Sequence, residues 1–382
     1  MSTTTTKISW CDRTWNPTRG CSRVSPGCVH CYAELIALRF SRDDLAFHGF
    51  ARRDARGKAQ WTGKVELMRD ALTEPLSWRK PARIFANSMS DLFHEELNND
   101  KIAAVFGVMA AAPQHTFQVL TKRAKRMADW HAWLKHAAAT VNGGRGMSMA
   151  AYCLCQAQLH TGDAPKLARD VDRIFALKWP LRNVWLGVSV EDQQRADERI
   201  PELLRTPAAI RFLSCEPMIE SVDLGDALDE EGYESGGPEG WVTTREHGID
   251  WVIIGGESGP GARAFDIHWA RSLVAQCRKA GVAPFVKQLG TVAFDSDKPE
   301  GQFTSFEHWC NKAKSWIGGT GALCVDAKGR VLLVGKDFMR SRDEGAFPVR
   351  FCARLPRPDK KGGVMESWPS DLRVREFPKE AP

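Results

Sequence analysis

The chain has 382 residues, of which 43% are hydrophobic and 26% charged, an ordinary composition for a globular protein with a normal core. Its net charge of +6 permits a nucleotide or nucleic-acid partner without requiring one. The polar start and the lack of a long apolar run exclude a secretory signal and a membrane span, so we expect a cytoplasmic protein with no membrane partner.

The first motif is a group of three cysteines, Cys21, Cys28 and Cys31, with the spacing C-x6-C-x2-C. Three thiolates can hold three irons of a [4Fe–4S] cluster and leave the fourth iron free to bind another molecule. A structural zinc site would instead close its fourth position, for which Cys11 or His30 is available. From the spacing alone, an iron–sulfur cluster and a zinc ion are equally well supported.

After the cysteines, short β-branched, apolar runs alternate with helical patterns. The predicted strands lie at 83–88, 116–121, 183–190, 210–215, 250–254 and 283–288. Strands that are apolar on both faces and separated by helices indicate a parallel sheet, and the cysteine segment brings the count to about seven βα units. We therefore predict an α/β protein with a partial, open βα barrel over 1–290.

Three segments depart from this alternation. Residues 136–180 are rich in Ala and Gly, and 222–248 are acidic and rich in Gly, so both are predicted to be insertions or long loops. Residues 291–382 are predicted to form a C-terminal extension with a strand near 330–334. The sequence does not decide the roles of four further cysteines, Cys11, Cys153, Cys155 and Cys215.

Polar residues follow several predicted strands, and the carboxyl ends of strands carry the chemistry in βα folds. We predict that four of them face a substrate as catalytic residues, namely Glu216, Glu257, Lys122 and Lys287. The alternative for each is a salt bridge at the barrel mouth. The basic stretch 50–61, which contains two aromatic residues, is either a phosphate-binding and base-stacking strip or a solvated loop.

Seven motifs occur in order across residues 8–290. They are the cysteine segment 15–32, IFANSMSDLF at 84–93, FQVLTKR at 117–123, VWLGVSVED at 184–192, FLSCEPM at 212–218, VIIGGESGPGAR at 252–263 and FVKQLG at 285–290. In this order they resemble the phage- and prophage-associated three-cysteine proteins, a radical-SAM-like family. The cysteine spacing departs from the C-x3-C-x2-C of the wider superfamily.

This resemblance implies a radical-SAM-type barrel with a [4Fe–4S] cluster on the three cysteines, and it favours iron over zinc. It further implies reductive cleavage of S-adenosylmethionine to methionine and a 5′-deoxyadenosyl radical, with a flavodoxin- or ferredoxin-like reductant. The residues expected to contact the cofactor are His30, Ser88, Asp91, Ser189 and Glu191. For His30 the alternative is a loop histidine that faces solvent.

The mild basicity and the phage association favour a nucleobase or nucleic-acid substrate, such as a base of phage DNA. The rival hypothesis is a zinc-stabilised nucleic-acid-binding or accessory protein without radical chemistry. A hydrolase that needs no metal would leave the three cysteines without a role.

Overall fold

The computed structural model describes residues 6–162, 167, 171–228, 248–296 and 363–378, together with four short strands between 301 and 353. In chain order the strands are β1 Arg13–Trp15, β2 Thr18–Arg19, β3 Ala51–Arg53, β4 Ala59–Trp61, β5 Glu66–Leu67, β6 Arg83–Ala86, β7 Thr116–Thr121, β8 Val184–Ser189, β9 Ile210–Cys215, β10 Trp251–Gly255, β11 Ala264–Asp266, β12 Ala283–Gln288, β13 Val292–Phe294, β14 Gly301–Phe303, β15 Ala322–Val325, β16 Val331–Leu332 and β17 Val349–Ala353. The α-helices are α1 Tyr32–Arg39, α2 Arg69–Leu72, α3 Asn99–Ala111, α4 Ala124–Gly144, α5 Met149–Thr161, α6 Val171–Phe175, α7 Gln193–Leu204 and α8 Ile267–Lys279.

Seven strands form one parallel sheet in the order β1-β6-β7-β8-β9-β10-β12, and the sheet curls into a half-barrel. Every neighbouring pair is parallel, and helices connect most of them. All six strands predicted after the cysteines are present, and β1 is the seventh. The predicted α/β class and partial βα barrel are confirmed at this level. The carboxyl ends of these strands form one rim of the half-barrel, which we call the mouth.

Side chains of the sheet alternate between two buried layers, as strand geometry requires. One layer packs with the helices and includes Ile84, Val119 and Leu213. The other contains no helical residue and includes Phe85, Trp185, Phe212, Trp251 and Phe285. This second layer therefore fills the inside of the half-barrel with aromatic rings.

Gly187, in the middle of β8, is required for this packing. A Cβ built there would lie 2.5 Å from the ring of Phe212. Because glycine has no side chain, the ring of Phe212 on β9 can lie against the backbone of β8 at Gly187. The ring fills the space that a side chain at residue 187 would otherwise take.

The segment 136–180, expected to be an insertion or a long loop, is largely helical. α4 continues to Gly144, and α5 and α6 follow it. Ser148 caps α5 by accepting the backbone N–H of Ala151 at 3.2 Å. α5 packs against α3 so closely that a Cβ on Gly107 would lie 2.1 Å from the carbonyl of Cys153. Most of the other expected insertion, 222–248, lies outside the described residues.

The last described residues return to the edge strand β12. The backbone N–H of Val286 donates to Val374 at 2.8 Å, and that of Glu376 donates to Pro284 at 3.0 Å. Phe377 packs against Trp251 with ring centroids 5.4 Å apart. These contacts cover the open edge of the sheet with residues of the C-terminal extension. The strand expected near 330–334 is β16. None of the helices described here is long and apolar enough to cross a membrane.

Candidate functional site

The three cysteines lie between β2 and α1, on the loop that follows the first strand of the sheet. Cys21 comes two residues after β2, and Cys28 ends a short 3-10 turn that begins at Pro26. Cys31 is the N-cap residue of α1. All three are free, partly exposed thiols. The cysteine loop, residues 20–31, therefore stands at the mouth of the half-barrel.

The electrostatic environment of the cysteine loop couples the three thiols. Burial raises the pKa of Cys21 to about 12, and negative charges on Cys31 and Cys28 would raise it further. Burial also raises the pKa of Cys31, although the backbone N–H groups of Glu34 and Ala33 oppose this rise. The thiols thus lie within electrostatic range of one another, and they become thiolates readily only when a cation joins them.

Thiols alone make up this donor set, which suits iron–sulfur and other soft metal sites. Within the described residues, no group of three or more His, Cys, Asp or Glu side chains is arranged to hold a metal ion as it stands. Cys11, one expected fourth zinc ligand, is buried with Trp10 and Phe85 inside the half-barrel, and its thiol donates to the carbonyl of Ile8 at 4.0 Å. The loop therefore offers three thiols, the donor type of iron–sulfur sites, and Cys11 is not beside them.

Glu191 is the first of four carboxylates that fix the cysteine loop. It is fully buried just beyond β8 and forms ion pairs with Lys122 and, at 2.9 Å, with Arg199. Burial alone would raise its pKa, but the two cations outweigh burial and lower the pKa to about 2. Ser25 of the loop donates its hydroxyl to Glu191 at 2.8 Å. A Cβ on Gly27 would lie 2.4 Å from the same carboxylate, so only glycine permits this approach.

Glu257 fixes the loop from the other side of the mouth. Its carboxylate accepts hydrogen bonds from Arg263, the shortest at 2.7 Å, and lies 2.9 Å from Nδ1 of His30. Burial alone would raise the pKa of Glu257, but the hydrogen bonds from Arg263 and His30 outweigh burial and lower it. Arg263 also donates to the carbonyl of Pro26 at 3.0 Å. His30 is therefore hydrogen-bonded within the protein, while 30% of its side chain stays exposed.

Asp91 acts on the loop through Arg123. One oxygen of Asp91 accepts the Thr121 hydroxyl at 2.7 Å, and the other accepts Arg123 at 3.1 Å. The same guanidinium donates to the hydroxyl of Ser22 at 2.8 Å and points an N–H at the sulfur of Cys21, 3.9 Å away. Arg123 thus connects the buried carboxylate with the first cysteine.

The fourth carboxylate is Glu34, in the first turn of α1. Arg23, between the first two cysteines, forms a two-pronged ion pair with it, with distances of 2.9 and 2.5 Å. Arg23 also donates to the carbonyl of Ala59 at 3.2 Å, which joins the loop to the hairpin β3–β4. Paired donors of this kind fix orientation as well as distance.

A separate ion pair occupies the carboxyl ends of β9 and β12. Lys287 donates to Glu216 at 2.7 Å, and Gln288 donates to the same carboxylate at 3.0 Å. The side chain of Lys287 is 22% exposed to solvent and that of Glu216 is 15% exposed, so a molecule at the mouth can still reach this pair.

The two predicted serines take different positions. The carbonyl of Ser88 accepts the hydroxyl of Tyr32 at 2.5 Å, and its own hydroxyl donates to Asn16 at 3.2 Å. Ser189 is buried, and its carbonyl accepts Arg199 at 2.8 Å. Ser88 therefore adjoins the cysteine loop through a tyrosine, whereas Ser189 joins the Glu191 network through its backbone.

All four residues predicted to be catalytic are thus in ion pairs, as the salt-bridge alternative anticipated. Apart from Lys122, the cations that hold the loop carboxylates were not predicted from the sequence. They are Arg23, Arg123, Arg199 and Arg263. A buried carboxylate requires a cationic partner, but the sequence does not indicate which of its 53 Lys and Arg residues that is.

A family model described as a protein of unknown function, DUF5131, matches residues 5–336 of the chain. No curated protein and no solved structure matches the chain.

Proposed function

Because the chain belongs to the DUF5131 family of proteins of unknown function, its activity has to be inferred from its site, and we propose that it is a radical SAM enzyme. The observation that carries the proposal is the cysteine loop. Three free thiols stand at the mouth of a curled parallel sheet, on a loop held by four buried carboxylates.

In this proposal Cys21, Cys28 and Cys31 hold a [4Fe–4S] cluster. Such a cluster, with one iron free of protein ligands, supplies the binding position for S-adenosylmethionine and the electron that breaks its sulfonium bond. A flavodoxin- or ferredoxin-like protein would deliver that electron. The chain's own task is to keep the loop rigid and the thiols at the mouth.

We assign Asp91 and Glu191 to positioning the loop, because both oxygens of each carboxylate already accept hydrogen bonds or ion pairs within the protein. Glu257 has the same task through Arg263. His30, Ser88 and Ser189 are left as candidates for contacts with the cofactor.

The pair of Glu216 and Lys287 is our candidate for substrate contact, since it lies at the mouth and keeps accessible surface. Lys122 keeps the same 22% of its side chain exposed, but its partner Glu191 is fully buried, so in that pair only the lysine could meet a substrate. A nucleobase or a nucleic acid is the substrate class that we propose, in agreement with the chain's positive net charge.

The test is anaerobic purification followed by iron, sulfide and zinc analysis, with EPR spectra of the reduced protein with and without S-adenosylmethionine. We expect about four irons per chain and a spectrum that changes when S-adenosylmethionine is added. Changing Cys21, Cys28 or Cys31 to Ser singly should remove most of the iron, because each would hold one iron of the cluster.

Cys11→Ser is the matched control, since Cys11 lies in the half-barrel interior and should not affect the metal content. One zinc per chain with no iron would contradict the proposal and support the zinc-stabilised nucleic-acid-binding protein. Loss of zinc in Cys11→Ser would identify that residue as the fourth ligand.

A further inference from the structure

The surface beside the cysteine loop concentrates exposed apolar side chains. Of the eight large hydrophobic residues exposed in the described part of the chain, five lie between 24 and 40. They are Val24, Val29, Tyr32, Leu35 and Phe40. Isolated exposed apolar residues are normal, but five on one loop and the helix that follows it indicate a surface that contacts another molecule.

The hairpin β3–β4 extends this surface. Its aromatic residues Phe50 and Trp61 pack on Ala33 and Ala37 of α1 and are buried. They are therefore not available to stack on a base, which removes the base-stacking part of one of the two interpretations of the stretch 50–61. Their burial fixes the hairpin to α1 and leaves its cations on the outside.

The cations of this region face solvent. Residues 39–58 contain six Lys or Arg and three Asp residues, in a chain whose total net charge is +6. In the described structure Asp43 pairs with His48, and Asp54 accepts the backbone N–H groups of Arg56 and Lys58. Asp54 offsets part of the neighbouring positive charge, and a net positive surface remains.

Tyr32 joins this surface to the mouth. Its hydroxyl is held by the carbonyl of Ser88, while 51% of the residue remains exposed. An aromatic ring fixed at one end and open to solvent is suited to stacking on a base. Cationic side chains next to such a ring are typical of proteins that bind single-stranded nucleic acid.

We propose that a single-stranded nucleic acid binds along α1 and the hairpin, with its phosphates on Arg52 and Arg56 and one base on Tyr32 at the mouth. A single strand is favoured over a duplex because an enzyme that acts on a base must have that base outside the stack. The inference rests on the proposed function in preferring a single strand and in calling that strand a substrate.

The test is fluorescence anisotropy with a fluorescein-labelled, mixed-sequence, single-stranded DNA of about 20 nucleotides, at several salt concentrations. R52E/R56E should weaken binding by about tenfold or more and lower the slope of log K against log salt by about 1.4, because two phosphate contacts are lost. R79E/K80E makes the same change of charge at exposed residues before β6, at the opposite end of the strands, and should leave binding nearly unchanged.

Tyr32 provides a second measurement. Y32L should weaken binding by about fivefold or more, because the stacking ring is lost, whereas Y32F keeps the ring, loses only its hydrogen bond to Ser88 and should bind within about twofold of the wild type. Equal binding by Y32L and Y32F would overturn the placement of a base on this residue.

Absence of DNA binding, equal weakening in R52E/R56E and R79E/K80E, or tighter binding of the matching duplex would each overturn the proposal. If the DNA does not bind and an acidic flavodoxin binds with an affinity that R52E/R56E reduces, the surface belongs to the reductant instead. Iron analysis of the same preparations separates the two proposals. Protein that binds DNA but contains no iron would contradict the radical SAM function and leave the nucleic-acid surface supported.

Discussion

Glu191→Gln is expected to lower the free energy of unfolding by about 3–5 kcal/mol at pH 7. Glu191 is fully buried, and its carboxylate neutralises Lys122 and Arg199, of which Arg199 is itself buried. The amide keeps the size of the side chain but removes the counter-charge of the buried Arg199 and of the partly exposed Lys122. Urea unfolding followed by tryptophan fluorescence would measure the loss.

Glu198→Gln on α7 is the matched control. Its side chain is 51% exposed and lies 3.8 Å from Arg195, so the same substitution should change the free energy of unfolding by about 0.5 kcal/mol or less. Equal urea midpoints for the two variants would contradict the role of Glu191 as the neutralising group beneath the cysteine loop.

The ion pairs of Glu191 also predict how stability depends on pH. The pKa of Glu191 is lowered from 4.5 to about 2 in the folded protein, so the stability that it contributes is complete above pH 4.5. It is lost as the pH falls from 4.5 towards 2, and it amounts to about 3 kcal/mol. In Glu191→Gln this part of the acid destabilisation should be missing. A wild-type and a variant profile that run parallel from pH 5 to pH 2 would show that another carboxylate is responsible.

Gly27→Ala is expected to weaken metal retention by the cysteine loop about 10- to 100-fold. The new Cβ would lie 2.4 Å from an oxygen of Glu191 and 2.5 Å from its Cγ. Because two cations hold Glu191 in place, the carboxylate cannot withdraw, and the loop has to move. Cys28 is the next residue, so its sulfur moves with the loop. Iron content after anaerobic reconstitution and a timed challenge with a chelator would measure the effect.

Gly57→Ala is the control for this prediction. Gly57 lies in the turn of the β3–β4 hairpin, where an added Cβ would have no heavy atom within 4 Å, although the φ of +75° strains any other residue. The substitution should cost about 1 kcal/mol of stability and leave iron retention unchanged. If Gly27→Ala kept its iron as the wild type does, the loop would not rest on Glu191 when the metal is bound.

The sequence predicted the sheet well because each strand carries its own signal. A short, mostly apolar run that ends in polar residues is visible without knowledge of the neighbouring strands. The cysteine loop was equally visible, since its three thiols are close in the chain. The helical nature of 136–180 was missed because Ala and Gly gave no clear apolar period, and α5 is held chiefly by its packing on α3.

The sequence also predicted which polar residues lie at the mouth, but it did not predict what they contact there. Glu191 and Glu257 were expected to meet a cofactor or a substrate, whereas in the fold each is engaged by cations and by the cysteine loop. His30, the partner of Glu257 in the cysteine loop, is 227 residues away from it in the chain. No local pattern encodes such a pairing.

Short-range chemistry is therefore sufficient to establish the class of the fold, the positions of the strands and the three thiols of one loop from the chain alone. The three-dimensional fold was needed to show which charges meet, that Phe50 and Trp61 turn inwards, and that Tyr32 remains exposed at the mouth. The physical reason is that burial and ion pairing depend on residues brought together by the curled sheet, and their free energies arise only when water has been excluded between them.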